Sequence, residues 1–148
     1  AYFPEAQLKG LDINPANISI CEQRLTKNPD AHIEFACAAS AESERSGSYD
    51  AIFCLAVFRH GDLIDPRHTR CDNSIRFEVF SDVVGQLSDK LKPGGLLIMQ
   101  HANFRFGDTP AAAGFRVVGR RERVAQQHGI GRDTIILERR SSRVGVEG

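Results

Sequence analysis

Leu8-Lys9-Gly10-Leu11-Asp12-Ile13-Asn14-Pro15 joins a short apolar run to a carboxylate and then to the start of a helix. Asn14 has the chemistry of an N-cap, because its side chain accepts from the first free helical N–H groups. Pro15 suits the first turn, where its missing N–H costs nothing. In a nucleotide-binding α/β sheet, an acidic residue at the carboxyl end of a strand accepts the ribose hydroxyls. Asp12 is therefore the first candidate binding residue; the alternative is a solvated carboxylate at a helix start. The strand and glycine-rich loop that precede such a residue in that kind of sheet would lie upstream of Ala1. The expectation is thus one domain over residues 1–140 without its first strand, followed by a flexible tail over residues 141–148.

Working outward, residues 14–27 read as a helix, with Ile18, Cys21 and Leu25 spaced to share one face. His32-Ile33-Glu34-Phe35-Ala36-Cys37-Ala38 alternates as a half-buried strand near a sheet edge does. Residues 39–48 are small and polar and fit a loop or a short helix equally. Tyr49-Asp50-Ala51-Ile52-Phe53-Cys54-Leu55-Ala56-Val57-Phe58 is the most continuous apolar run, which suits a central parallel strand covered on both faces. A polar connection over residues 59–73 follows, of the length usual for lids and binding loops.

Residues 74–91 return to helical spacing, with a stripe of Phe80, Val83, Val84, Leu87 and Leu91. Lys90 and Lys92 suit the negative end of that helix dipole. Pro93-Gly94-Gly95 is expected to stop the helix before the strand Leu96-Leu97-Ile98-Met99-Gln100. Residues 104–114, with Gly107, Pro110 and three alanines, read mostly as loop. Phe115-Arg116-Val117-Val118 and Thr134-Ile135-Ile136-Leu137-Glu138 read as an antiparallel hairpin with a long connection. The whole is an α/β fold: a Rossmann-like, mostly parallel sheet with helices on both faces and a C-terminal antiparallel hairpin, its first strand missing.

Composition narrows the function classes. Nineteen basic and nineteen acidic side chains cancel, which removes any overall pull toward nucleic acid or an anionic membrane. Residues 103–148 nevertheless hold nine arginines against five acidic residues. Arg116, Arg120, Arg121, Arg123, Arg139 and Arg140 would form a nucleic-acid face or, at alternate positions on a hairpin, a solvated one. No apolar run reaches the roughly 20 residues that span a bilayer, and no secretory leader is visible, so a soluble cytoplasmic protein is expected. Cys21, Cys37, Cys54 and Cys71 lie far apart with no metal-ligand spacing and read as buried free thiols.

The succession GLDIN, IEFACAA, YDAIFCLAVFRH and LSDKLKPGGLLIMQ resembles the class I S-adenosylmethionine-dependent methyltransferases. The most specific piece is Leu91-Lys92-Pro93-Gly94-Gly95-Leu96-Leu97, similar to the turn before that family's fifth strand. The resemblance covers residues 8–102. It implies S-adenosylmethionine as cofactor, with Asp12 on the ribose, Ile13 against the adenine and Ala38 to Ser40, including Ala39, along the adenine edge. Cys54, Leu55 and Ala56, continuing to Phe58, would form the floor near the reacting methyl group.

Alignment of nucleophile, methyl and sulfur supplies most of the barrier lowering in such a transfer, on the order of several kcal/mol. An obligatory catalytic residue is not required. His60 and His68 are the candidates for a base if the acceptor is a hydroxyl or an amine, and surface loop histidines otherwise.

The chain departs from the family in two places. The glycine-rich loop for the methionine carboxylate is absent, and Ala38, Ala39 and Ser40 stand where an acidic residue commonly meets the adenine amine. In the family's strand order, 3-2-1-4-5-7-6, the missing strand lies between the strand of Leu8 and that of Tyr49. Exposed strand edges then invite self-association.

The leading expectation is methyl transfer to a small molecule, since no aromatic-prolyl motif of the base-modifying enzymes follows the Tyr49 strand. The alternatives are a non-catalytic methyltransferase-like binding domain and an NAD-dependent oxidoreductase. The hairpin and the lack of a catalytic Tyr and Lys pair speak against the latter.

Overall fold

The computed structural model describes residues 5–28, 32–55, 57–58, 76–100, 102, 104–121 and 134–141. The chain divides into two compact units, Ala1–Ser43 and Glu44–Gly148.

The first unit is a strand-helix-strand unit. Strand β1, Leu8–Asp12, leads through Ile13 into helix α1, Pro15–Leu25. Asn14 is the N-cap: its backbone is extended and its side-chain oxygen accepts from the Ala16 N–H at 2.9 Å. The predicted helix face forms as expected, with Ile18 buried and Cys21 and Leu25 half-buried. Strand β2, Ile33–Cys37, runs parallel to β1 and pairs Leu8 with Ile33 through to Asp12 with Cys37. Parallel pairing of two strands joined by a helix sets both carboxyl ends on the same side, and it is there that Asp12 sits.

The second unit is a four-stranded sheet in the order β3-β4-β6-β5. Strand β3, Tyr49–Leu55, is parallel to β4, Leu91–Gln100, with helix α2, Phe77–Lys90, between them in sequence. Strand β6, Thr134–Arg139, is antiparallel to both β4 and β5, Phe115–Arg121. The mixed sheet with a closing antiparallel pair matches the expected fold class.

The core is the α2 stripe set against one face of this sheet. Phe80, Val84 and Leu91 are fully buried with Leu97, beside Cys54, Met99, Leu137 and Phe115. The Phe80 ring meets Phe58 edge-on at 5.1 Å and lies 5.2 Å from Phe104, spacings at which aromatic pairs add to simple area burial. Two 3-10 turns, Phe106–Asp108 and Pro110–Gly114, fill residues 104–114, consistent with a region too broken for a full helix.

Three expectations need correction. The strand after α2 begins at Leu91, five residues before the predicted start. While β3 advances from Tyr49 to Ala51, β4 advances from Leu91 to Leu96, so Lys92-Pro93-Gly94-Gly95 is a bulge inside the strand. Gly94 turns with φ +78°, and a Cβ on Gly95 would meet the Lys92 carbonyl oxygen at 2.9 Å and that of Tyr49 at 3.2 Å.

Second, β3 ends its sheet instead of lying centrally with both faces covered. Cys54 points into the core, but Phe53 and Leu55, facing the other way, are 64% and 55% exposed. Among the described residues, no second strand pairs with its outer edge. Third, the thiols are not uniformly buried: Cys54 is, Cys21 is half-buried and Cys37 is exposed, all three free. Cys71, the polar connection and the C-terminal tail from residue 142 lie outside the described residues.

Candidate functional site

Asp12 stands at the last position of β1, where the chain leaves the strand for α1. The Asn14 backbone N–H donates to its Oδ1 at 2.7 Å, and the Asn17 side-chain amide donates to its Oδ2 at 3.1 Å. These two donors, the backbone one first, hold the carboxyl below the ordinary carboxylate range against a smaller opposing effect of burial. The group is therefore an anion at neutral pH, aimed by its two partners.

A carboxylate has about four lone-pair positions. Among the described residues two donors fill one position on each oxygen, which leaves one on each oxygen for a ligand.

The loop after β2 is tied to the same point. The Ala38 N–H donates to the Asp12 carbonyl at 3.0 Å. The Cys37 thiol reaches the Ile13 carbonyl at 3.6 Å, which fixes the turn that presents Ile13. Ile13 is 67% exposed, an apolar side chain left in the open beside a charged one. Beyond Ala38 the chain turns through bends, with the Glu42 N–H reaching Ser40 Oγ at 3.4 Å. Ala38, Ala39, Ser40, Glu42 and Ser43 line an open depression of about 340 Å³.

Of the residues singled out from sequence, Asp12, Ile13, Ala38 and Ala39 are thus gathered at one end of the first unit. Cys54 and Leu55 belong to the second unit, at the carboxyl end of β3; Cys54 lies in its core and Leu55 is exposed. Burial pushes the Cys54 thiol up to about 12. Ala56, His60 and His68 lie outside the described residues.

Sequence reasoning missed Asn17, Glu42 and Ser43. A signal for Asn17 existed: it is the third helical residue after the Asn14 cap, and a side chain there faces back toward the cap and the strand end. Nothing in the small, polar run from residue 39 to 48 distinguished Glu42.

The arginines of the C-terminal pair largely serve the fold. Arg116 makes a two-pronged pair with Glu138, with contacts of 2.8 and 2.9 Å from Nη2 to the two carboxylate oxygens. Arg139 donates to the Leu91 carbonyl, and Arg140 Nε to that of Phe115 at 2.9 Å. Arg120 also has a partner. No group of metal-ligating side chains occurs among the described residues, and no described helix is long and apolar enough to cross a membrane.

Comparison with known proteins places this geometry. The model of a family described as a methyltransferase domain matches residues 1–99. No curated protein matches the sequence. Among solved structures, the N-methyltransferase NodS from Bradyrhizobium japonicum WM9 aligns over 91% of this chain and 74% of its own, at 15% identity and a TM-score of 0.67. A second NodS structure holds S-adenosyl-l-homocysteine. An rRNA methylase from Streptococcus thermophilus aligns over 95% and 78%, at 10% identity and a TM-score of 0.63. The [4+2]-cyclase SpnF aligns over 90% and 66%, at 14% identity and a TM-score of 0.60. At these identities the likeness is one of fold, and a fold shared by methylases and a cyclase does not by itself fix the reaction.

Proposed function

The chain belongs to the methyltransferase-domain family, and on that premise we propose that it transfers a methyl group from S-adenosylmethionine to a small-molecule acceptor. The observation that carries this reading is the Asp12 carboxylate, ionised, oriented and, among the described residues, open on both oxygens at the carboxyl end of a parallel strand. A vicinal diol presents two donors at the separation of two carboxylate oxygens, so the group fits the ribose of an adenosine-bearing cofactor. Exposed Ile13 offers an apolar contact for the base. The depression lined by Ala38 to Ser43 offers polar edges from Ser40, Glu42 and Ser43 where the family's usual acidic residue is replaced by alanine.

When bound, the cofactor supplies an electrophilic methyl on a sulfonium. The chain's part is to bind and aim. Asp12 fixes the ribose, and Ile13 and the loop from Ala38 hold the base. With alignment as the main source of rate, no base is needed for a good nucleophile. His60 or His68 would take the proton from a hydroxyl or amine acceptor.

A small acceptor is favoured because three of the arginines that would have made a nucleic-acid face, Arg116, Arg139 and Arg140, are engaged by Glu138 and by backbone carbonyls. Self-association is part of the same proposal: among the described residues β3 ends its sheet, and it exposes Phe53 and Leu55.

The test is a transfer assay with methyl-labelled S-adenosylmethionine, offering pooled small amines and hydroxyl compounds in one reaction and total RNA in another. Label in the small-molecule pool supports the reading. Label in RNA alone overturns the acceptor class, and cofactor binding without transfer to either favours a non-catalytic binding domain.

A further inference from the structure

We propose that Asn17 is a positioning residue for cofactor recognition: its side-chain amide holds the Asp12 carboxylate in the one orientation that accepts both hydroxyls of an adenosine ribose. The inference rests on the proposed ribose role of Asp12 and goes beyond it by naming what makes that carboxylate selective. Asp12 is the last residue of a strand and its side chain projects into an open turn, where nothing packs against it on all sides. A lone carboxylate there would rotate about its side-chain bonds and offer its lone pairs in many directions.

Two donors remove that freedom from opposite ends. Asn14 N–H fixes Oδ1 from the backbone at 2.7 Å, and Asn17 Nδ2 fixes Oδ2 at 3.1 Å. The two act differently under mutation. The Asn14 contact is made by a main-chain group that any residue but proline would supply, whereas the Asn17 contact belongs to a side chain and is open to selection.

The helix makes Asn17 unusual. It is the third residue of α1, so it lies one turn from the Asn14 cap and leans back toward the strand end. An acidic residue at that place would serve the helix better, because the N-terminal end of the dipole favours negative charge and a carboxylate can reach back to the cap N–H. The chain instead places a neutral amide donor there. The donor satisfies Asp12 where an acid would repel it, which is the choice expected if the demand comes from the carboxylate and not from the helix.

This separates a positioning role from a structural one. Asn17→Asp keeps the shape, removes the donor and adds a like charge, while Asn17→Ala removes the donor and leaves a good helix former. Asn17→Asp is expected to keep or raise the melting temperature. Affinity for S-adenosylhomocysteine, measured by calorimetry on the full chain, is expected to fall about three- to tenfold in Asn17→Ala, the size of one lost hydrogen bond. It is expected to fall further in Asn17→Asp. The Asp12 titration, followed by NMR, is expected to move upward in the same order.

A purely structural role predicts the reverse order in affinity, with the isosteric aspartate milder than alanine. That order, or wild-type affinity in both variants, overturns the inference. Asp12→Asn tells its failure apart from failure of the underlying reading. If Asp12→Asn abolishes binding while the Asn17 variants bind normally, only the role of Asn17 falls. If Asp12→Asn binds as well as wild type, or the unaltered chain shows no binding, the ribose reading falls and takes this one with it.

Discussion

The backbone N–H of Asn14 meets Asp12 Oδ1 at 2.7 Å, so the residue that caps helix α1 also anchors the carboxylate at the end of β1. One short turn thereby starts a helix and presents an anion. Its pKa is lower in the folded chain than the ordinary value of 3.8. The stabilisation it gives is complete above that value and is lost as pH falls through the lowered folded value. The Asn14 amide shift, followed by NMR during acid titration, should show a midpoint below 3.8; a midpoint at or above it would mean that the two hydrogen bonds do not favour the anion.

Cys54 and Cys37 should differ sharply toward thiol reagents. Cys54 is buried in the core and its thiol is pushed up to about 12, whereas Cys37 is exposed at the end of β2. At pH 8 a maleimide should label Cys37 in the native chain and reach Cys54 only in denaturant. Because the folded chain holds the Cys54 proton more tightly than the unfolded one, that contribution is intact below 9.0 and fades as pH rises toward 12. Equal labelling rates in the native chain would remove Cys54 from the core.

Phe80 has no exposed surface and touches the rings of Phe58, Phe77 and Phe104. Phe80→Ala should cost about 3–5 kcal/mol in urea denaturation, from lost burial and the cavity left behind. A cost below about 1 kcal/mol would mean that α2 does not pack on the sheet through this ring.

Two glycines should respond in opposite directions. Gly95→Ala places a methyl group 2.9 Å from the Lys92 carbonyl oxygen, a main-chain atom that cannot turn aside. A loss of about 1–3 kcal/mol is expected. A methyl group added at Gly85, within α2, would meet nothing within 4 Å, so Gly85→Ala should stabilise by about 0.8–1 kcal/mol. Thermal denaturation of the two single variants checks both signs.

What the sequence conveyed and what it withheld follow from how local each signal is. The start of α1 was legible because Asn14 and Pro15 act on their own neighbours. The stripe from Phe80 to Leu91 was legible because helical spacing alone puts those residues on one face. The early start of β4 was not, since the bulge at Lys92 to Gly95 exists through the pairing of Leu91 with Tyr49, a contact between distant segments.

The apolar run from Tyr49 also misled in one respect. It shows what a strand is suited to bury, and Phe53 and Leu55 are bare on the sheet face opposite Cys54. At the site, Asp12 announced itself by chemistry and position. Asn17 offered only its place three residues after the Asn14 cap, and its bond to Asp12 becomes visible only when strand and helix are set together.

The most direct measurement is calorimetric titration of S-adenosylhomocysteine into the full chain and into its Asp12→Ala variant at neutral pH. The account predicts saturable binding by the unaltered chain and a loss of at least about tenfold in Asp12→Ala, the size of one or more hydrogen bonds to a charged acceptor. Equal affinity in the two proteins would contradict it, and tight binding of NAD in place of S-adenosylhomocysteine would move the carboxylate to a different chemistry.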